Sequence, residues 1–193
     1  MGANPLSAVT VEQYLCLDEA AERKSEYHDG EFSPIVDATP AHSRLAFNIA
    51  AILHGRLKKG CAGMIAPRVR VSLTQFVYPD AAIVGGEAQL SADSLANPRT
   101  VIEILSPLTE GFDAGGKFKL YQLLPSFEEY LLIAQDQPRV ELFRKQSPII
   151  GRWRSSRGST RPSSSVSPKA PSPSPACTRA SPSLSRRCPS ARR

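Results

Sequence analysis

The sequence predicts an α/β fold in which a mixed central sheet is flanked by helices. Two short apolar runs, 79–84 and 100–105, are rich in β-branched residues and bounded by Pro, Asn or Gly, as buried strands are. Two segments with apolar residues at helical spacing, one over 10–23 and one beginning at Thr39-Pro40, predict helices that cover the sheet. Helical patterns that alternate with strand patterns are typical of α/β domains.

Both predicted helices carry start signals. Thr10 and Gln13 have the spacing of a capping box, in which each side chain bonds the other residue's backbone amide. Thr39 precedes Pro40, so a capping residue is followed by proline at the first helical position. The second helix is predicted to end at Lys58-Lys59-Gly60. The predicted inner faces are Val11, Tyr14, Leu15 and Leu17 in the first helix, and Leu45, Ile49, Ile52, Leu53 and Leu57 in the second.

Further strands surround the two central ones. Asp29-Gly30 predicts a hairpin turn between strands at 25–28 and 31–36. Two more strands are predicted near 61–66 and 68–73, the latter with the alternation of a half-buried strand. In the C-terminal half we expect a helix near 114–123, a buried strand around 130–133 and an edge strand over 140–144.

Charge is unevenly distributed along the chain. Residues 152–193 hold ten Lys/Arg and no Asp or Glu, which leaves 14 basic and 18 acidic residues in 1–151, a net charge of −4. The positive net charge therefore belongs to the tail and does not indicate a basic folded part. We divide the chain into a flexible N-terminus at 1–9, one domain at 10–151 and a disordered Ser/Pro/Arg-rich tail at 152–193.

Three interpretations of this tail stay open: a basic arm that binds nucleic acid, a disordered extension without a role, and translation from a shifted reading frame. No apolar run approaches the length of a membrane span, and the four cysteines have no CxxC spacing. We therefore expect a cytoplasmic protein with reduced thiols, without a membrane segment.

Carboxylates in the central strands mark the candidate site. Glu103 lies within the apolar run 100–105, where an unpaired charge would cost several kcal/mol unless a partner or a cation compensates it. Asp80 opens the neighbouring run. Asp113, Lys117 and Tyr121 follow at spacings of four, which puts them on one helical face. Two acids and a lysine at strand ends fit metal-assisted phosphodiester hydrolysis.

The order of these motifs resembles the Uma2 family of restriction-endonuclease-like proteins, which is grouped with the PD-(D/E)xK nucleases. The resemblance covers about residues 8–153. The segments that carry it are 10–15, 26–31, His42 with Asn48, 78–80, 102–107, Asp113 with Lys117 and Tyr121, 125–126, 130–133 and 139–143. One departure concerns the chemistry: Leu105 stands where the superfamily pattern has lysine, so the lysine role would pass to Lys117.

The resemblance implies a restriction-endonuclease-like fold and a Mg²⁺-dependent DNA endonuclease, with Mn²⁺ as an alternative metal. Asp80, Glu103 and the Ile104 carbonyl would bind the metal. Lys117 would orient the attacking water, and Glu26 would complete the site. Asp113, Tyr121 and Gln122 would support these residues from behind. A homodimer is compatible with cutting both strands of DNA.

Other interpretations stand beside these roles. Asp80 also fits a turn or helix cap, and Glu103 also fits a buried ion pair with Arg or Lys. Lys117 also fits an ordinary solvated helix lysine, and His42 a helix-surface histidine. Lys58-Lys59 fits a solvated helix end or a contact to DNA phosphate. The alternative function is a nuclease-like DNA-binding protein without activity.

Overall fold

The computed structural model describes residues 8–91, 93–106, 111–146 and 153–159. In chain order its elements are α1 (Val11–Ala20), β1 (Ser25–His28), β2 (Glu31–Pro34), α2 (Pro40–Arg56), β3 (Cys61–Ile65), β4 (Val69–Arg70), β5 (Gln75–Val77), β6 (Ala81–Gly85), β7 (Leu90–Ser91), β8 (Ser94–Leu95), β9 (Thr100–Leu105), a π-helical segment (Phe112–Lys117), α3 (Phe118–Tyr121), β10 (Glu129–Ala134), β11 (Arg139–Lys145) and β12 (Trp153–Ser159).

The central sheet has six strands in the order β12-β11-β10-β9-β6-β3. β9 and β10 run parallel, and the other neighbouring pairs in this sheet run antiparallel. The parallel pair requires a crossover, and the segment with the π-helical turn and α3 lies within it. The predicted α/β fold with a mixed sheet flanked by helices is confirmed.

A second six-stranded sheet, in the order β2-β1-β5-β4-β8-β7, was not predicted. Its short strands explain this, because β4, β7 and β8 are two residues each and carry no readable alternation. The strand predicted at 68–73 is wrong beyond Arg70. The chain turns there, with the Val71 amide donating to the Gln75 carbonyl at 2.9 Å, and returns as β5.

The helix starts follow the predicted caps. The Thr10 hydroxyl accepts from the Gln13 amide and the Gln13 side chain accepts from the Thr10 amide, which completes the capping box. The Thr39 hydroxyl accepts from the His42 amide at 3.1 Å. At Asp29-Gly30 both φ angles are positive, as the predicted hairpin turn requires.

The helix ends and inner faces need correction. α1 stops at Ala20 rather than at 23, because Ala21 is already extended and the chain turns towards β1. Leu17 is largely exposed, and so is Ile52 in the stripe predicted for α2. α2 has no fully buried residue, so it lies on the sheet without being enclosed.

The main core lies between the two sheets and beneath α3. Its buried members are Val69, Val71, Val77, Ala82, Val84, Leu95, Val101, Leu105, Tyr121, Leu124, Phe127, Tyr130 and Leu132. A smaller aromatic cluster of Tyr14, Tyr27 and Phe76 fastens α1 to the second sheet, with the Tyr14 and Tyr27 rings stacked at 4.7 Å between centroids. Both clusters lie behind the strand ends that carry the candidate site.

Part of the crossover between β9 and β10 is a π-helical turn and not a regular α-helix. The predicted helix at 114–123 is instead a π-helical turn over Phe112–Lys117 that continues as α3 to Tyr121. Gly115 and Gly116 lie inside this turn. Asp113, Lys117 and Tyr121 are all buried, as their spacing predicts. π-helical turns of this kind occur often at functional sites.

The sheet continues beyond the predicted domain end at 151. β12 pairs antiparallel with β11 along its whole length, from Lys145 opposite Trp153 to Arg139 opposite Ser159. The Trp153 ring contacts Phe118 and Phe127, which holds the start of β12 against the core. The ordered sheet thus reaches residue 159, and the rest of the predicted tail lies outside the described residues, as does most of the N-terminus at 1–9. Among the residues described, no helix is long and apolar enough to cross a membrane.

Candidate active site

Adjacent strands place Asp80 and Glu103 side by side. β6 and β9 pair antiparallel with Ala81 opposite Ile102, so Asp80, just before β6, faces the middle of β9. Glu103 is 2 % exposed. The Asp80 amide donates to Glu103 Oε2 at 3.4 Å. The predicted proximity of the two carboxylates therefore follows from the register of these strands.

Lys117 lies at the centre of the site. Its Nζ is 3.0 Å from Glu26 Oε1, 3.2 Å from Asp113 Oδ1 and 3.5 Å from Glu103 Oε1. It also donates to the Tyr78 carbonyl at 3.3 Å. The side chain is buried, so the interpretation as a solvated helix lysine is wrong. Burial alone would lower the pKa of Lys117, but the three carboxylates outweigh it and raise the pKa.

Glu103 has contacts that suit both of its charge states. Tyr121 donates its hydroxyl to Glu103 Oε1 at 3.0 Å, and the Lys117 ammonium lies beside the same oxygen. Burial raises the pKa of Glu103 well above its ordinary value. The Lys117 charge opposes this shift, whereas the negative charges of Asp113, Asp80 and Glu26 add to it. Further positive charge close to this carboxyl would favour its anion.

Glu26 reaches the site from the second sheet. On β1 it accepts from the Tyr78 amide at 3.1 Å in addition to its ion pair with Lys117. Burial favours the neutral acid, but the His28 imidazole, 3.8 Å from Glu26 Oε2, and the Lys117 charge outweigh it, so the pKa of Glu26 is lowered. Glu26 thus stays ionised and fixes the ammonium of Lys117 in place.

Asp80 lies at the open side of the cluster. Its Oδ2 accepts from the Ile104 amide at 2.6 Å, and its Oδ1 is 3.1 Å from His42 Nε2. The Asp80 side chain is 24 % exposed, more than the side chains of Glu26, Glu103 and Asp113. The hydrogen bond to Asp80 raises the pKa of His42, which favours the protonated imidazole.

A pocket of about 410 Å³ opens onto this cluster. Segment 35–39, the first turn of α2, the end of β9 and Gln135 just after β10 line it. Thr39 donates its hydroxyl to Gln135 Oε1 at 2.9 Å. Site residues along the pocket are His42, Tyr78, Asp80, Glu103, Ile104, Asp113 and Lys117. Glu26 does not line the pocket and lies behind Lys117.

The structure changes the interpretation of three residues, His42, Tyr78 and Gln122. His42 was interpreted as a helix-surface histidine, yet it lines the pocket and contacts Asp80. Its place in the first turn of a helix that follows a capping threonine is a signal that helps to locate it. The sequence assigns Tyr78 no role of its own, yet its amide and carbonyl bind Glu26 and Lys117. Gln122, expected behind the site, is exposed instead.

A buried ion pair supports Tyr78 from the far side. The Tyr78 hydroxyl donates to Asp18 Oδ2, and Arg68 Nη1 donates to the same oxygen at 3.1 Å. Asp18 also accepts from the Ser25 amide at 2.8 Å. This network joins α1, β1 and the strand ends, so it holds the backbone that carries Glu26 and Tyr78.

The oxygen donors suit a hard divalent cation. Asp80, Glu103 and Ile104 line one pocket, and carboxylate and carbonyl oxygens are the ligands that Mg²⁺ and Mn²⁺ prefer. A cation would also compensate the buried charge of Glu103. Among the described residues, however, no three His, Cys, Asp or Glu side chains already converge as a ready metal site. The predicted ligand set of two side chains and one carbonyl fits this arrangement.

Leu105 cannot supply the missing positive charge. It is 5 % exposed and packs in the main core, where it has no charge to offer. Lys117 brings an ammonium group next to Glu103 from the following π-helical turn instead. The expected transfer of the lysine position is consistent with this geometry.

Comparison with known proteins gives relatives of similar length. The chain is 33% identical over 143 residues to the uncharacterized protein sll1609 of Synechocystis sp., covering 71% of this chain and 81% of that protein. It is 29% identical over 153 residues to slr1290, another uncharacterized protein of the same organism, covering 77% and 80%.

The fold and the family agree. The chain resembles the crystal structure of "a putative nuclease belonging to DUF820" from Anabaena variabilis with a TM-score of 0.60 and 19% identity, over 76% of this chain and 83% of that one. At this identity the likeness concerns the fold. Residues 11–172 match the family Uma2, described as "Putative restriction endonuclease". With most of its length matched, the chain belongs to the Uma2 family.

Proposed function

We propose that the protein is a Mg²⁺-dependent endonuclease that hydrolyses phosphodiester bonds in DNA. The observation that carries the proposal is the position of Lys117, whose ammonium lies within 3.5 Å of Glu26, Asp113 and Glu103 at a pocket that also holds Asp80. Phosphoryl transfer depends on positioned charge more than on covalent chemistry. Two carboxylates with a fixed cation are the kind of arrangement that such a reaction needs.

Each residue has a role in this proposal. Asp80, Glu103 and the Ile104 carbonyl would hold Mg²⁺ or Mn²⁺, which when bound would activate a water and offset charge on the scissile phosphate. Lys117 would orient that water and stabilise the phosphoryl oxygens. Glu26 and Asp113 keep Lys117 charged and in position. Tyr121 fixes the orientation of Glu103 through its hydroxyl.

The test is nicking of supercoiled plasmid DNA by the full chain in Mg²⁺, in Mn²⁺ and in EDTA. We expect cutting with either metal and none in EDTA. Glu103→Gln and Asp80→Asn keep the size of each side chain and remove its charge, so each should lower the cutting rate by at least about a hundredfold. Glu87→Gln, at an exposed carboxylate away from the pocket, is the matched control and should cut like the unchanged protein.

Calorimetric titration with Mn²⁺ separates loss of metal binding from loss of fold. Asp80→Asn should weaken Mn²⁺ binding while the far-ultraviolet circular dichroism stays native. Absence of cutting by a protein that is folded and binds DNA would contradict the endonuclease and favour the alternative, a nuclease-like DNA-binding protein without activity.

A further inference from the structure

One long segment of the folded part contains no acidic residue. Between Asp37 and Asp80 the chain has neither Asp nor Glu, although residues 1–151 as a whole carry more acidic than basic side chains. The basic residues of this segment are Arg44, Arg56, Lys58, Lys59, Arg68 and Arg70. The segment includes all of α2 and the turn that follows it, which together carry four of these six residues.

The basic side chains of α2 and its turn are exposed and without carboxylate partners. Arg44, Arg56, Lys58 and Lys59 are all exposed, and none forms an ion pair with a residue that the structure describes. Several arginines elsewhere on the surface are neutralised. Examples are the pairs Arg23–Asp37, Arg99–Glu128 and Arg144–Glu129.

The outer face of α2 allows another backbone to approach closely. Arg44, Asn48, Ala51 and Gly55 follow at spacings of four, three and four, so they form one stripe along the helix, and all four are exposed. A Cβ added at Gly55 would meet nothing within 4 Å. The stripe therefore combines an arginine, an amide and two small residues.

The helix that carries this face begins at the candidate active site. His42, in the first turn of α2, lies 3.1 Å from Asp80, and Thr39 lines the same pocket. The helix has 17 residues and so extends for about 25 Å away from the pocket. That length corresponds to about seven base pairs of duplex DNA.

We propose that α2 with the Lys58-Lys59 turn, here called the α2 face, binds the phosphate backbone of duplex DNA and leads it into the pocket. The inference rests on the proposed function and names the surface that holds its substrate. Exposed cations without a carboxylate partner among the described residues, on a segment without acidic residues, are complementary to a polyanion. A second copy of the chain is the poorer occupant, because a two-fold contact would set the same unneutralised cations against one another.

The test measures binding without cutting. The full chain is titrated in EDTA against a fluorescein-labelled duplex of 20 base pairs, and fluorescence anisotropy is followed between 50 and 200 mM salt. The test variant is the triple change Arg44→Ala, Lys58→Ala and Lys59→Ala. The matched control is Arg144→Ala with Arg154→Ala, two exposed arginines that face each other on β11 and β12, at the other end of the central sheet. The basic tail is present in every variant.

We expect the triple variant to bind at least about tenfold more weakly at low salt. The slope of log affinity against log salt should become shallower by about 2 to 3, close to one unit per lost phosphate contact. The control should bind like the unchanged protein. Equal affinities for the triple variant and the control would overturn the inference, as would a duplex RNA competitor that binds more tightly than DNA.

Two further outcomes separate this inference from the proposed function. A protein that cuts plasmid DNA but loses no affinity in the triple variant would refute the α2 face and leave the endonuclease standing. A protein that never cuts but loses affinity in the triple variant would support the α2 face and contradict the endonuclease. Phe47 is an exposed residue of α2, and Phe47→Glu tests whether a second copy of the chain binds this face. If this change dissociates a dimer and the triple variant keeps its DNA affinity, the face belongs to a second copy and the inference is overturned.

Discussion

Lys117 Nζ lies 3.0 Å from Glu26 Oε1, although the two residues belong to elements far apart in the chain, the π-helical turn and β1 of the second sheet. Both side chains are only 9 % exposed, so water screens their charges weakly. The ion pair therefore ties the crossover of the central sheet to the second sheet at the candidate site. Its removal should affect stability as well as activity.

Lys117→Met should lower the free energy of unfolding by about 3 to 5 kcal/mol. The methionine fills most of the same space but leaves Glu26, Asp113 and Glu103 buried near one another without a cation. Urea unfolding followed by circular dichroism at pH 7 measures the change. Lys119→Met, two residues further on at an exposed position, is the control and should change stability by less than about 0.5 kcal/mol.

A double change tests the cause. In a Glu26→Gln background one of the uncompensated charges is already absent, so Lys117→Met should cost at least about 1 kcal/mol less than it does alone. Equal costs in the two backgrounds would mean that Glu26 and Lys117 are not coupled. The effect of Lys117→Met would then come from lost packing.

Glu103→Gln should stabilise the fold at neutral pH while it abolishes cutting. The pKa of Glu103 is raised above its ordinary value by burial, so the folded state keeps a proton that the unfolded chain has lost. Stability of the unchanged protein therefore falls as the pH rises from about 4.5 towards the folded pKa, at roughly 1.4 kcal/mol per pH unit. Glutamine has no proton to lose, so its advantage should grow over the same interval.

Urea unfolding at pH 4.5, 6 and 7.5 in EDTA checks this pH dependence. Glu87→Gln, at an exposed carboxylate, should follow the unchanged protein at each pH. A Glu103→Gln variant that is less stable than the unchanged protein at pH 7.5 would show that the folded state prefers the anion. The ion pair with Lys117 would then outweigh the cost of burial.

The sequence reveals those parts of the site that depend on local pattern. Glu103 stands out because a charge interrupts an apolar strand, and Lys117 because it shares a helical face with Asp113 and Tyr121. The proximity of Asp80 to Glu103 was inferred from neighbouring strands and follows from their register. Patterns with a period of two or four residues are visible in a single chain.

Contacts between distant elements are not visible in this way. His42 lies on a helix with no buried residue, and only the packing of α2 against the strand ends brings it to Asp80. In the second sheet β4, β7 and β8 are too short to alternate, and β12 has an exposed, serine-rich sequence that resembles a disordered tail. In β12, pairing with β11 and the packing of Trp153 decide the structure, and neither is a local property.

His42→Ala should destabilise the protein at mildly acidic pH and have little effect at alkaline pH. The hydrogen bond to Asp80 raises the pKa of His42 in the fold. The contribution is complete below the unfolded pKa of about 6.5 and disappears as the pH rises through the folded value. The variant should therefore lose about 1 kcal/mol at pH 5.5 and much less at pH 9.

His54→Ala is the matched control, because His54 lies on the same helix and is exposed. Urea unfolding of both variants in EDTA at the two pH values gives the comparison. A loss for His42→Ala that is the same at pH 5.5 and pH 9 would mean that the imidazole contributes through packing and not through its proton.

Gly116→Ala should disturb the π-helical turn, whereas Gly115→Ala should not. A Cβ at Gly116 would come within 2.4 Å of the Phe112 ring, and a Cβ at Gly115 would meet nothing within 4 Å. Phe112 is partly exposed and packs edge-on against His28, so the ring can move only by giving up that contact. We expect Gly116→Ala to cost about 1 to 2 kcal/mol and Gly115→Ala to be neutral or slightly stabilising.

Phe112→Ala removes the clashing ring, so Gly116→Ala should become harmless in that background. Thermal unfolding of the four variants measures this coupling, and a Gly116→Ala cost that persists without the Phe112 ring would place the conflict in the backbone of the turn.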